Sequence, residues 1–435
     1  MKKLRYIALT MLSALTLTSC SLFSDADIEI NNKFNPKGHS TTIVTTTDHI
    51  GDVYGTKVSD VPNATVFKSV VYSNLEGNKI RNTFKTASPY EFKYNVNGGS
   101  DYNVNKDNNN VDIYVPDGLN KSADQNVVLF IHGGAWISGL KTQVNPYVKK
   151  FANEGYIAAT IEYTLLSKDM DDNTLSIFRN LDEIDACIST IKSGLEGLNF
   201  TGNLNLVLGG ASSGAHLAML YAFSRQTYGA SPMPIKFLID AVGPTDINED
   251  VWKAFYYENQ AEYDAAVEAG IEKDTIDARG SSGLRVLPVA GQGYNWDQYQ
   301  TMRIANGMCG LPFTLQQIED SKSGGTGVDP SSAPYQDLID DPDPDESSGE
   351  QLLSVTHYMT NTNKIPMICA YAGEDSVVGI KQYANLQEAF SANSYVEHTN
   401  YEFVYFKHCG HVDLDKDTTA YTEFVNTILD WMATK

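Results

Sequence analysis

Cysteine is scarce in this chain, five residues in 435, too few for the disulfide framework that staples small secreted scaffolds. No Cys, His and carboxylate spacing resembles a zinc site, and no metal or other cofactor is expected. Cations are also short: 32 Lys and Arg stand against 54 Asp and Glu, a formal charge of −22. That balance argues against nucleic acid or an anionic bilayer as a direct partner, and it is silent about the substrate. The apolar stretch Ile7 to Leu17 is too short to span a membrane as a helix, which takes about 20 residues. No other stretch is long and apolar enough, and no internal repeat is visible.

That short apolar stretch follows the basic start Lys2, Lys3 and Arg5 and ends in Leu17-Thr18-Ser19-Cys20. The pattern is that of a targeting segment, and its end resembles the lipobox of bacterial lipoproteins. The resemblance implies removal of residues 1–19, lipidation of Cys20 and tethering to a membrane of the bacterial cell envelope, facing the periplasm or the exterior. Loss of the three cations would take the formal charge from −22 to −25. Residues 20–60 are polar and Thr-rich and are expected to be a tether. Residues 61–110 contain strand-like pieces such as Thr65 to Tyr72 and an Asn-rich region, and are expected to form lead-in strands. The remainder, 111–435, is long enough for one full domain with an insertion.

What the chain does have is a punctuated segment, Leu206-Val207-Leu208-Gly209-Gly210-Ala211-Ser212-Ser213-Gly214-Ala215-His216-Leu217. A short apolar run stops at two glycines, a serine follows, and an alanine-rich stretch resumes at once. This predicts strand, sharp turn and helix, with Gly210-x-Ser212-x-Gly214 at the turn. Such a turn strains the serine backbone, while small flanking residues let strand and helix approach. It also holds Oγ at a helix N-terminus, where N–H groups favour developing negative charge.

Upstream, His132-Gly133-Gly134-Ala135-Trp136 follows the apolar run Val127 to Ile131. Two glycines after a strand let backbone N–H groups face a common point. Acyl transfer needs such donors for its tetrahedral oxyanion, worth about 3–4 kcal/mol each. Taken alone this is equally an ordinary Gly-Gly loop. Paired with the serine turn, the order of strand, Gly-Gly loop and Gly-x-Ser-x-Gly carries chemistry.

Together the two segments resemble the α/β-hydrolase esterases and lipases, close to the hormone-sensitive-lipase-like and carboxylesterase groups. Those groups carry HGG[GA][FW] and G-x-S-[AS]-G-[AG]-H-L-A. The likeness covers about residues 88–435, and Val111-Asp112-Ile113-Tyr114-Val115-Pro116 resembles the family's opening strand. Glu162-Tyr163-Thr164-Leu165 stands where many members have NYRL, with Thr164 in the arginine's place. That departure puts in question whatever the arginine supports. The resemblance implies an α/β fold with a mostly parallel sheet flanked by helices and a helical or loop cap. It also implies a serine ester hydrolase acting on small-molecule or glycan-linked esters through an acyl-enzyme.

A serine nucleophile needs a base, itself oriented by a third group. The family order is serine, acid, histidine. His357, His398, His408 and His411 therefore qualify, while His132 and His216 belong to the two motifs. His411 is favoured because it follows Gly410, after the strand-like Tyr401 to Phe406 and before the helical pattern from Thr418 to Met432; His408 is its competitor. The acid should follow the apolar run Ile365 to Ala372. The family form G-x-x-D-x-V-V falls on Asp375, with Glu374 as its alternative. Oxyanion donors would be the backbone N–H groups of Ser213, Gly134 and Ala135, with Gly133 able to replace one of them.

Between Gly243-Pro244-Thr245-Asp246 and the strand near Ile365 lie far more residues than a bare core needs. Residues 246–356 are expected to be a cap-like insertion with helical pieces at 251–269, 297–307 and 314–322. Aromatic side chains such as Trp252, Tyr256, Trp296 and Tyr299 either pack those helices or line an acyl or sugar pocket. The carboxylate-dense run 340–346 lacks the EF-hand glycine and spacing and is expected to be a solvated loop. Cys187 and Cys369 lie in apolar patterns and are expected to be inert core residues. An oxidising compartment would permit Cys309 to pair with Cys409, though the spacing does not require it. Three rivals stay open: a formamidase or amidase, since kynurenine formamidases share HGG-[AY]-W loops, a peptidase, and a catalytically silent binding lipoprotein.

Overall fold

The computed structural model describes residues 55–72, 110–136, 139–163, 165, 177–228, 231–247, 353–375 and 377–435. The expected signal segment with Cys20, most of the tether, part of the lead-in and residues 248–352 lie outside them. So do Cys309, the acidic run and the aromatic residues of the insertion.

The elements are β1 (Thr56–Val58), β2 (Val61–Val71), β3 (Asn110–Pro116), β4 (Gln125–Ile131), α1 (Asn145–Asn153), β5 (Ile157–Glu162), α2 (Ile177–Gly197) and β6 (Leu204–Ala211). There follow α3 (Ser213–Tyr228), β7 (Ile235–Ala241), α4 (Val355–Tyr358), β8 (Met367–Ala372), α5 (Ile380–Ala392), β9 (Tyr401–Phe406) and α6 (Thr418–Thr434). The strands form one sheet in the order β1-β2-β3-β5-β4-β6-β7-β8-β9. Pairings from β1 to β5 are antiparallel, and those joining β5, β4, β6, β7, β8 and β9 are parallel.

Alternation within the strands explains the layers. Leu129, Ile131, Leu206, Leu208, Met367, Cys369 and Tyr371 point to one face; Val128, Phe130, Val207, Ile368 and Ala370 point to the other. A strand buried on both faces reads as an unbroken apolar run, which is why β4, β6 and β8 are legible as such. The first face is covered by α2, α3 and α5; the stripe Ile177, Leu181, Ile184, Ile188, Ile191 and Leu195 on α2 follows helical spacing. The second face is covered by α1 and α6, through Val148 and Phe151 and through Phe424, Ile428 and Trp431. Fully burying each such large side chain stabilises by about 1.5–3 kcal/mol. Asp417 caps α6, its side chain accepting from the Ala420 N–H at 3.0 Å. Cys187, Cys369 and Cys409 are buried and free.

This is an α/β-hydrolase fold. Strand order reverses at β4, whose neighbours are β5 on one side and β6 on the other. The crevice beyond the carboxyl ends of parallel strands at such a switch point is where ligands bind, and the loops after β4 and β6 carry the two motifs. One boundary differs from expectation. β1 pairs with β2 (Thr56 opposite Val66), so Thr56 onward is sheet rather than tether. Three half-exposed residues are too short a stretch for periodicity to reveal.

Candidate active site

The loop between β6 and α3 puts Ser212 in the left-handed region, φ 54°. A serine pays for that geometry in strain of order 1–3 kcal/mol, and surrounding contacts must hold it there. They do. The Ser212 N–H donates to the Ala241 carbonyl at 2.8 Å, and the Ser212 carbonyl accepts from the His216 N–H at 3.1 Å. The flanking glycines are demanded by space. A Cβ on Gly210 would lie 2.3 Å from the Gly214 carbonyl carbon, and one on Gly214 would lie 2.3 Å from the Ile131 oxygen. Strand, turn and helix can meet this closely only without side chains at those two positions. Ser212 thereby projects at the N-terminal end of α3, against the end of β4.

His411 comes from the loop after β9. Its Nε2 is 2.8 Å from Ser212 Oγ, and its Nδ1 is 2.7 Å from Asp375 Oδ2. The network assigns the tautomer: Nδ1–H donates to the carboxylate and Nε2 accepts from the serine hydroxyl. Asp375, in the loop after β8, has a fully buried side chain, whereas His411 is 14% exposed. The second carboxylate oxygen accepts from the N–H groups of Val377 (2.7 Å) and Val378 (2.8 Å). Four hydrogen-bonding positions thus fix the acid and its ring. The two loops are tied together, since the Glu374 N–H donates to the Cys409 carbonyl at 3.0 Å.

The alternatives lie elsewhere. His408 pairs with Glu374 at 3.4 Å on the surface, with side chains 72% and 65% exposed. His398 pairs with Glu402 at 2.8 Å, also exposed, and His357 lies on the short α4.

Gly133 places the other motif against the serine. A Cβ there would meet the Ala211 oxygen at 2.7 Å and Ser212 Cβ at 3.0 Å. Gly134, Ala135 and Trp136 follow with φ of 125°, 51° and 61°, a left-handed run that turns the loop back over the strand ends. Ser213 opens α3. The loop is anchored from below. His132 is fully buried, stacks on Tyr163 at 4.3 Å between ring centroids, and its Nδ1 donates to the Gly133 carbonyl at 2.8 Å. The Tyr163 hydroxyl donates to the His132 carbonyl at 3.2 Å. Trp136 is buried and meets the His216 ring edge-on at 5.3 Å, and His216 Nε2 donates to the Leu353 carbonyl at 2.8 Å. Burial lowers the pKa of both His132 and His216 to about 4. Each ring is neutral near pH 7 and engaged with backbone.

Sequence inspection did not single out Lys141 or Gly139, although both belong to this loop's support. Lys141 is buried, with Nζ on Asp112 Oδ1 at 2.6 Å and on Asn110, and its backbone N–H donates to Glu162 Oε2 at 3.0 Å. A Cβ on Gly139 would meet the Gly133 oxygen at 2.2 Å. The available signals were a lysine and a glycine just past the Gly-Gly motif, neither distinctive without the fold. Among the described residues no group of three or more His, Cys, Asp or Glu side chains is arranged to hold a metal ion, and no helix is long and apolar enough to cross a membrane.

Fold and site together set a serine, a histidine and an aspartate in one hydrogen-bonded line at the carboxyl ends of a mostly parallel sheet. Residues 111–276 match the family model described as BD-FAE. Among curated proteins the chain is 28% identical over 148 residues to the non-reducing polyketide synthase atr1 of Stereocaulon alpinum, covering 32% of this chain. It is 25% identical over 161 residues to the non-reducing polyketide synthase Preu3 of Preussia isomera. The chain spans only 6% of the length of each. Among solved structures it is similar to esterase B from Lactobacillus rhamnosis (16% identity, 75% of this chain and 82% of that one, TM-score 0.43). A bifunctional GH43-CE from Bacteroides eggerthii gives 16% identity over 75% of this chain and 34% of that one, TM-score 0.45.

Proposed function

We propose that the chain is a serine carboxylic ester hydrolase working through an acyl-enzyme, with Ser212 as nucleophile, His411 as base and Asp375 as acid. What carries this reading is the continuous hydrogen-bonded line from Asp375 through His411 to Ser212, 2.7 and 2.8 Å. Ser212 Oγ attacks the ester carbonyl while His411 Nε2 takes its proton, and Asp375 stabilises the imidazolium. The oxyanion is held by the Ser213 N–H and by N–H groups of the Gly133, Gly134 and Ala135 loop. Collapse breaks the ester C–O bond, and His411 returns the proton to the leaving alcohol. Water, deprotonated by the same ring, then releases the acid and restores Ser212.

The substrate is an ester of a short or aromatic acyl group on a small alcohol or a carbohydrate. Support for the carbohydrate comes from the family model, which describes feruloyl and acetyl esterases. Hydrolysis of p-nitrophenyl acyl esters by chain length, beside acetylated and feruloylated sugars, selects among these. A fluorophosphonate should add its phosphonyl mass to the peptide containing Ser212, in step with loss of activity. Hydrolysis that survives stoichiometric labelling overturns the reading. The same enzyme is proposed to be held at a membrane by lipid on Cys20, motivated by Leu17-Thr18-Ser19-Cys20. Cys20→Ala should abolish incorporation of labelled fatty acid, and an unlipidated wild-type protein would sink that part.

A further inference from the structure

The support beneath the Gly-Gly loop holds a buried pair that the mechanism does not use. His132 Nε2 lies 3.6 Å from Glu162 Oε1. Both atoms are buried and neither has a hydrogen-bond partner. The other edge of each group is committed: His132 Nδ1 to the Gly133 carbonyl at 2.8 Å, Glu162 Oε2 to the Lys141 N–H at 3.0 Å.

A carbonyl only accepts, so Nδ1 must carry a hydrogen to bond Gly133. In a neutral ring Nε2 then presents a lone pair, which repels an ionised carboxylate. If the ring's one proton moves to Nε2 to satisfy Glu162, Nδ1 faces the Gly133 carbonyl bare. With one proton the site keeps one contact and loses the other; with a second proton, on Glu162, it keeps both. The neighbouring charges do not supply the difference. Lys141 and Asp112 face Glu162 from one side and are paired with each other at 2.6 Å. Tyr163 stacks on the ring, and the charge of Glu183 on α2 acts on Tyr163. Burial raises the Glu162 carboxyl to about 7, opposed by the Lys141 N–H and ammonium and reinforced by Asp112.

We propose that Glu162 is a positioning residue: through one buried proton shared with His132 it holds the ring that fixes the Gly133 carbonyl, and with it the oxyanion loop beside Ser212. The inference rests on the ester hydrolase reading and adds to it an alkaline limit set by this pair. Loss of the shared proton frees either the ring or the carbonyl, and the loop donors lose their aim.

The test measures kcat and KM from pH 6 to pH 9 for the wild-type protein, Glu162→Gln and Glu162→Ala. The wild type should lose kcat as pH rises past about 7, with KM little changed. Glutamine keeps an oxygen for the Lys141 N–H and offers a non-titrating N–H to His132 Nε2. Glu162→Gln should therefore retain most of the acid-side kcat and lose the alkaline decline. Glu162→Ala should cost about tenfold in kcat at every pH, a fraction of what losing a whole oxyanion donor costs. An alkaline decline persisting in Glu162→Gln, or a wild type without one, overturns the proposal, and both measurements stand if Glu162→Ala does not fold. Failure of the underlying reading looks different: Ser212→Ala would then hydrolyse esters as the wild type does.

Discussion

Two histidine–carboxylate pairs sit side by side where the loops after β8 and β9 meet, and chemistry alone does not tell them apart. Asp375 and His411 bond at 2.7 Å with the acid fully buried. Glu374 and His408, their neighbours by one and three positions, approach at 3.4 Å in solvent. The buried acid has its second oxygen tied to two backbone N–H groups, so the ring it holds can point in only one direction, toward Ser212. The exposed pair is screened by water and salt and is worth little either to stability or to orientation. Placement, rather than residue type, separates the proposed base from a surface contact.

Substitution can break that contrast. The largest loss is expected from Ser212→Ala or His411→Ala, about a millionfold in kcat for members of such a unit, with the double variant adding little. Single-turnover assays on a p-nitrophenyl ester measure it, and near-normal turnover in His411→Ala would move the base elsewhere. Asp375→Asn should cost about 10⁴-fold, because the amide N–H would donate to Nδ1 and hold the ring in the wrong tautomer, its proton on Nε2, while substrate binding is kept. Gly133→Ala should cost on the order of 10²-fold in kcat, since its methyl meets the Ala211 oxygen and moves the loop donors. At the small end, Glu374→Gln and His408→Ala should change kcat by less than about twofold, as expected of an exposed pair. A larger loss at Glu374 than at Asp375 would invert the comparison.

Most of the frame was legible in the sequence because it is local. β4, β6 and β8 are apolar runs buried on both faces, and the serine turn is spelled out by glycines within five residues. The partners His411 and Asp375 were legible only through a family order, since 199 and 36 positions separate the bonded residues. Beyond the motif histidines His132 and His216, the support of the Gly-Gly loop was not legible. Asn110 and Asp112 lie on β3, Glu162 ends β5 and Lys141 lies beyond the Gly-Gly loop, and the pairing of β3 with β5 sets Asn110 opposite Glu162. Glu162 entered only as the first residue of the segment set against NYRL, where the departure lay at Thr164, and its neighbours Lys141 and Gly139 gave no signal.

The His216 bond to the Leu353 carbonyl belongs to a knot. The Ile247 N–H donates to Ser354 Oγ at 2.8 Å, the Val355 N–H to the Thr245 carbonyl at 2.8 Å, and buried Gln382 binds Thr245 and Asp246. The stretches 245–247 and 354–355 are therefore stapled to each other, and the first of them to α5, whatever lies between them. For a flexible connection, loop-closure entropy grows only logarithmically, about 0.6 kcal/mol for each doubling of length. The knot thus works as a graft point, where the intervening stretch can be lengthened, shortened or exchanged while Ser212 and its helix keep their place.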